Sequence, residues 1–237
     1  MGKRGPQPKR AASPLWTPEL AYACGLLASD GCLYSDGRHI NLTSIDRDQL
    51  ETFKSCLGIK NKIGFKYNGA GKPGLQVQFG DVTLYRWLIS IGITPRKTFT
   101  LGEVKIPDQY FWDYLRGEFD GDGHSHAYWD TRWHSSVSLY MGFSSASVKH
   151  LDWLNETILR LIGIKGYINP SGKTTRALLF SKHKAFQLYK AMYYDSSVIH
   201  LARKKKKLER QWVAVALAKK GKQPKGFIKG GPILRIA

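Results

Sequence analysis

Acidic residues carry the first chemical signal in this chain. The segment "WTPELAYACGLLASDG" ends at Asp30–Gly31, and "DQYFWDYLRGEFDGDG" ends in two acids, Asp120 and Asp122, each followed by glycine. Both segments read as apolar helices. A helix C-terminus carries partial negative charge, so a carboxylate placed there is electrostatically unfavourable for the helix itself. Two such carboxylates make an electronegative spot that suits a hard divalent cation. Mg²⁺ takes oxygen ligands and commonly joins one or two carboxylates to substrate phosphates. The acid is concentrated in this way in a chain with 37 Lys+Arg against 18 Asp+Glu and a net charge of +19.

Aligning "ACGLLASDG" with "LRGEFDGDG" puts Gly25 and Gly117 at the third position, Asp30 and Asp122 at the eighth, and Gly31 and Gly123 at the ninth. Ala28 stands where the second copy has Asp120. A glycine within a helix lets a second backbone approach closely. Packing through Gly25 and Gly117 is expected to bring both helix ends, with Asp30 and Asp122, to one surface. The duplication continues: "LGIKNKIGF" is matched by "IGIKGYINP", and "PRKTFTL" by "ARKKKKL". The step from Gly58 to Lys97 nearly equals that from Gly163 to Lys204. The second copy is longer before Gly163, and "HAYWDTRWHSS" accounts for the excess.

The elements that must position these residues follow from local pattern. Thr17 as N-cap and Pro18 at the first helical position open the first motif helix. A hairpin follows, turned at Asp36–Gly37, then a helix stopped by Gly58, a second strand pair and a further helix. The second copy repeats the order. The fold expected is therefore α+β: two pseudo-symmetric αββαββα repeats packed through their motif helices. Their boundaries are 15–107 and 108–218, between a flexible basic arm at 1–14 and a basic tail at 219–237. Strand alternation points Ile40 and Leu42 inward and His39, Asn41 and Thr43 outward, and likewise separates Gln76 and Gln78 from Leu75, Val77 and Phe79.

Composition narrows the partner. A surface stays soluble with a net charge of roughly 2–8, so +19 with a pI of about 9.9 implies a polyanion, nucleic acid first. Three cysteines without CxxC spacing read as reduced thiols of a soluble intracellular protein. The basic N-terminus lacks the apolar core of a secretory signal, and no stretch approaches the ~18 apolar residues of a membrane span. Three decoys fall away. "DGDGH" has His124 and Ser125 where a calcium loop needs Asp/Asn and Gly. The spacing from Gly166 to Gly172 is one too long for a phosphate loop. His124, His126 and His134 lack the cysteine pair of a zinc site.

The paired nine-residue motif resembles that of the LAGLIDADG homing endonucleases in their monomeric two-repeat form, over roughly residues 15–215. The resemblance implies β-sheets forming a DNA-binding saddle and a Mg²⁺-dependent double-strand break with short 3′ overhangs at a long, non-palindromic target. Mn²⁺ is expected to substitute, and Ca²⁺ to support binding without cleavage. It implies Asp30 and Asp122 as metal ligands, with Lys97 and Lys204 as basic catalytic partners. Lys205 is the alternative to Lys204. The implied DNA readers of the first repeat are Arg38, His39, Asn41, Lys62, Lys66, Asn68, Gln76 and Gln78. Those of the second are Ser136, Ser138, Tyr140, Lys173 and Arg176. The resemblance implies double-stranded DNA as the partner and a monomeric protein. An RNA maturase acting on its own intron RNA, or a nuclease-dead DNA-binding regulator, is the alternative on the same fold.

Overall fold

The computed structural model describes residues 14–67, 71–129 and 137–219. Asn68, His134 and Ser136, and nearly all of both terminal arms, lie outside them. By compactness the chain divides into two units, Met1–Gly121 and Asp122–Ala237.

Unit 1 opens with α1 (Pro18–Ser29), whose first turn is closed by the Thr17 hydroxyl accepting from the Leu20 N–H at 3.1 Å. The strands β1 (Gly31–Leu33), β2 (His39–Ser44), β3 (Gly64–Tyr67) and β4 (Pro73–Gly80) form an antiparallel sheet in the order β1-β2-β4-β3. Between β2 and β3 lies α2 (Arg47–Leu57), capped by Asp46 and ended by Gly58 at φ 65°. The left-handed conformation there is the reason a glycine stops this helix. After β4 comes α3 (Val82–Ser90), capped by Asp81. One side of the sheet is core: Ile40, Leu42, Val77 and Phe79 are buried with Leu50 and Phe53 of α2 and Leu84 and Leu88 of α3. A 3-10 turn follows at Lys97–Phe99 and another at Asp108–Tyr110, leading into α4 (Phe111–Gly121). In sequence α4 opens the second repeat. It groups with unit 1 because it packs along α1, and residues 113–120 of it are all buried. Those buried residues include the ion pair of Arg116 with Asp113.

Unit 2 repeats the plan. The strands β5 (Gly123–Trp129), β6 (Val137–Ser145), β7 (Tyr167–Pro170) and β8 (Arg176–Ser181) run in the order β5-β6-β8-β7, matching the first sheet. The helices are α5 (Val148–Ile162), ended by Gly163 at φ 70°, α6 (Lys182–Met192) and α7 (Ala202–Lys219). Core residues Leu139, Met141, Phe143, Leu178 and Phe180 face Leu151, Leu154, Ile158 and Leu188. "PSGKTT" is a hairpin turn, as its spacing requires, with the Ser171 N–H donating to the Thr175 carbonyl.

One expected parallel breaks. "PRKTFTL" forms a 3-10 turn, whereas "ARKKKKL" begins an 18-residue helix. Pro95 removes a backbone donor and Arg96 sits at φ 55°, both incompatible with a continuing helix. From Ala202 to Lys219 the chain has neither Pro nor Gly, and Leu208, Gln211 and Ala214 give it one buried face. Among the described residues no helix is long and apolar enough to cross a membrane.

Candidate functional site

Within unit 1, α1 and α4 touch backbone to backbone. A Cβ built on Gly25 would overlap the Tyr114 carbonyl oxygen and stand 2.7 Å from Glu118 N; one on Gly117 would overlap the Tyr22 carbonyl and stand 3.1 Å from Gly25 Cα. The same two glycines that the motif aligns therefore make the crossing. At the C-terminal end the approach persists, and a Cβ on Gly121 would overlap the Ser29 hydroxyl and lie 3.2 Å from Asp30 Oδ2. Asp122 is the next residue of the chain.

Asp30 caps α1, its N–H donating to the Leu26 carbonyl. Its carboxylate Oδ2 accepts from Gln49 Nε2 at 3.2 Å. Gln49 is 2% exposed, and the same nitrogen donates to the Asp120 carbonyl oxygen at 3.2 Å while its Oε1 accepts from Ser44 Oγ at 2.6 Å. An amide fixed at both ends holds the carboxylate in one orientation. Lys97 reaches the same helix end: Nζ donates to Gly31 O at 2.7 Å and Ser29 O at 3.3 Å, on either side of Asp30. Lys97 as a whole is 8% exposed. Burying a cation is costly unless it is paired, and the negative end of α1 with Asp30 supplies the compensation. Arg96 spends strain to aim it, since a non-glycine residue at φ 55° costs on the order of 1 kcal/mol.

In unit 2 the arrangement recurs. Asp122 is exposed in the turn after α4, and Lys204 Nζ donates to Gly123 O at 2.8 Å. Lys97 with Gly31 and Lys204 with Gly123 are thus the same contact made twice. Lys205 goes elsewhere, its ammonium 5.5 Å from the centre of the Tyr193 ring. Asp120, the extra acid, is 1% exposed and accepts from the Tyr22 hydroxyl at 2.7 Å. It belongs to the helix interface.

Of the sequence-derived readers in unit 1, His39, Asn41, Gln76, Gln78 and Lys66 alternate onto the side of the sheet away from the core. Asn41 is 1% exposed and donates its amide to Gln76 Oε1 at 3.0 Å, so it braces Gln76. Arg38 and Lys62 are exposed outside the strands. In unit 2, Ser138 and Tyr140 lie on the open side, Ser138 at 4% exposure, and Lys173 is exposed in the β7–β8 turn. Arg176 is corrected: it shares the alternation of Leu178 and Phe180 and so lies on the core-facing side. Thr43 faces the open side as its alternation predicts, whereas sequence reasoning missed Gln49 and, on the open sides, Cys32, His124, His126 and Tyr128. Gln49 occupies the third position of α2, where a glutamine ordinarily reads as a capping partner.

Among the described residues no group of three or more His, Cys, Asp and Glu side chains could hold a metal ion. The donors present are a carboxylate at each motif end together with helix-terminal carbonyls. Such hard oxygens fit Mg²⁺, which keeps waters and takes substrate phosphate oxygens, and do not fit zinc.

No protein-family model and no curated protein matches this sequence. Solved structures do. The LAGLIDADG meganuclease I-AabMI bound to uncleaved DNA is 15% identical, with a TM-score of 0.60 over 87% of this chain and 92% of that one. The LAGLIDADG homing endonuclease I-GzeII in complex with its DNA target is 12% identical, with a TM-score of 0.56 over 87% and 92%. Full-length DUF199/WhiA from Thermatoga maritima is 14% identical, with a TM-score of 0.52 over 85% of this chain, which spans 62% of WhiA. The chain has the two-repeat LAGLIDADG fold.

Proposed function

We propose, from the fold shared with the LAGLIDADG endonucleases, that this chain is a monomeric site-specific DNA endonuclease. Its reaction is a Mg²⁺-dependent double-strand break with short 3′ overhangs at a long, non-palindromic target, serving the homing of an intron or mobile element. The observation that carries the reading is the duplicated set of aspartate, following glycine carbonyl and lysine: Asp30, Gly31 and Lys97, then Asp122, Gly123 and Lys204. A protein that only bound DNA would gain nothing from acids that repel phosphate.

Asp30 and Asp122, with neighbouring backbone carbonyls, are the groups that would hold the metal. A bound Mg²⁺ would polarise a phosphoryl oxygen and make a nearby water easier to deprotonate for attack. Gln49 keeps the Asp30 carboxylate oriented. Lys97 and Lys204 place fixed positive charge where a pentavalent phosphorane gathers negative charge, the form of stabilisation that costs no reorganisation during reaction. The net charge of +19 draws the duplex to the protein irrespective of sequence, and the open sheet sides supply polar groups for the major groove.

The test is a plasmid library of randomised targets incubated with the protein and Mg²⁺, followed by sequencing of the ends. Discrete double-strand breaks with 3′ overhangs are expected. Salt-sensitive binding without any cleavage would replace this reading with a non-cleaving DNA-binding protein or a maturase.

Cys32 gives an independent check on where DNA lies. It is exposed on the open side of the first sheet, opposite Asn41, whereas Cys24 is buried in α1 with its thiol pushed far above the ordinary range by burial. Burial also pushes the Cys56 thiol up to about 12. A thiol reagent at pH 8 is expected to modify Cys32 first, and target DNA to slow that reaction at least about tenfold by covering the face. Unchanged labelling in the complex, read by peptide mass spectrometry, would place the DNA elsewhere.

A further inference from the structure

The open sides of the two sheets differ in chemistry. In unit 1 the side carries amides and a hydroxyl, from Asn41, Gln76, Gln78 and Thr43, with Lys66 at its edge. In unit 2 a bank of rings occupies β5 and the middle of β6, with the hydroxyls of Ser138, Ser144 and Ser181 around it and one amide, Asn169, at the β7 edge. His124, His126 and Tyr128 alternate along β5, and Tyr140 is paired across from His126. His126 has three near-parallel neighbours: His124 at 6.0 Å, Tyr128 at 6.3 Å and Tyr140 at 5.1 Å between ring centres. Tyr128 and Tyr140 are 6.0 Å apart and also parallel. Tyr167 of β7, opposite Leu179, lies on the same side and extends the bank.

This bank is built in. Gly142, opposite His124, leaves its space, since a Cβ there would stand 3.1 Å from His124 Cε1 and 2.6 Å from Leu179 Cδ2. Ser144 Oγ and His124 Nδ1 are 3.3 Å apart. The described residues alternating onto this side of β5 to β8 include no Lys, Arg, Asp or Glu. Burial, then Lys207, lowers His126, which favours its uncharged ring.

We propose that this ring-lined side of unit 2 recognises a thymine-rich half-site through the 5-methyl groups of the bases. The inference rests on the DNA-cleavage reading and adds which base chemistry one half selects. Uncharged rings cannot make the bidentate contacts by which Arg selects guanine or Gln and Asn select adenine; the apolar feature of the major groove is the thymine methyl. Because the rings brace one another, they lose little rotamer freedom when DNA arrives. A flipped or single-stranded base needs a free ring face to stack on, and the central ring, His126, is flanked by three others. Unit 1, with Gln76 and Gln78, suits hydrogen-bonded readout, so the two half-sites differ in kind.

The experiment uses the full chain and its selected target in Ca²⁺, replacing thymine by deoxyuridine in one half-site at a time and measuring Kd. One half is expected to weaken about fourfold for each contacted methyl lost, and the other to be unaffected. In His126→Ser and Tyr140→Ser the deoxyuridine penalty should vanish, the thymine and deoxyuridine targets being bound equally. Specific binding that ignores deoxyuridine in both halves, or a target without clustered thymine, overturns this inference and leaves the nuclease reading standing. Absence of any specific DNA binding overturns both.

Discussion

Asp30→Asn is expected to lower double-strand cleavage by roughly a hundred- to a thousandfold, the order of loss seen when one charge-stabilising group is removed from a polar active site, while DNA binding is retained. Asparagine matches aspartate in shape, and its carbonyl oxygen can still accept from Gln49 Nε2, so the local hydrogen bonds survive. What disappears is the charge that a divalent cation needs. Asp122→Asn should lose the same activity, and because Asp122 is exposed it should melt like the parent. Affinity for target DNA in Ca²⁺ is expected to hold or rise in both, since each removes a negative charge from a phosphate-facing surface. Asp120→Asn is the control within the same motif. Asp120 is buried against Tyr22 and meets no substrate, and an asparagine there can still accept from the Tyr22 hydroxyl. Its cleavage rate should stay within about tenfold of the parent. Linearised and nicked plasmid, resolved over time, separate these outcomes. Cleavage by Asp30→Asn within tenfold of the parent would sink the metal-site assignment.

How much of this was legible in sequence depends on whether the cause was local. The motif helices, their glycine crossing and the glycine stops at Gly58 and Gly163 follow from side-chain type and spacing, and the structure has them where the pattern puts them. The pairing of Lys97 and Lys204 with the carbonyls of Gly31 and Gly123 was legible only as equal spacing, because the sequence could not choose between Lys204 and Lys205. Two things decide it: Leu201 accepts from the N–H groups of both lysines as α7 starts, and the helix then turns one side chain to Gly123 and the other to Tyr193. Gln49 was invisible because its partner is Asp30 on another helix, and only the packing of α2 against α1 brings them together. Arg176 failed for a different reason. Alternation gives relative sides within a strand, but its phase in β8 is set by the length of the preceding turn, which composition does not fix. The ring bank of unit 2 was present in the letters, as His124, His126 and Tyr128 at every second position. Its meaning waited on Gly142, whose missing side chain makes the room.

Replacing either crossing glycine should be strongly destabilising for the addition of a single methyl group. Gly25→Ala or Gly117→Ala gains helix propensity, roughly 1 kcal/mol in an unconstrained helix. Here the added carbon meets backbone on both sides: Tyr114 O, Glu118 N and Gly117 Cα for the first, and Tyr22 O and Gly25 Cα for the second. A flexible side chain could step aside, but a carbonyl inside a helix cannot without moving its turn. Overpacking of this sort costs about 1–3 kcal/mol, and the backbone on both sides puts these sites at the upper end, so after the propensity gain the net loss is about 2 kcal/mol. For a chain of this length that lowers Tm by roughly 4–8 °C. Ser55→Ala, on the exposed side of α2, is the matched small-residue control and should melt within about 1 °C of the parent. The functional consequence is separable from the thermal one. At a temperature where the variants remain folded, pushing α1 away from α4 moves Asp30 relative to Gly121, and a displacement of about 1 Å at a reacting centre costs on the order of a hundredfold. Cleavage should therefore fall further than DNA binding. If Gly117→Ala melted like the parent, the close crossing would not be what holds the two helix ends together; if it melted lower but cut normally, the carboxylates would not depend on it.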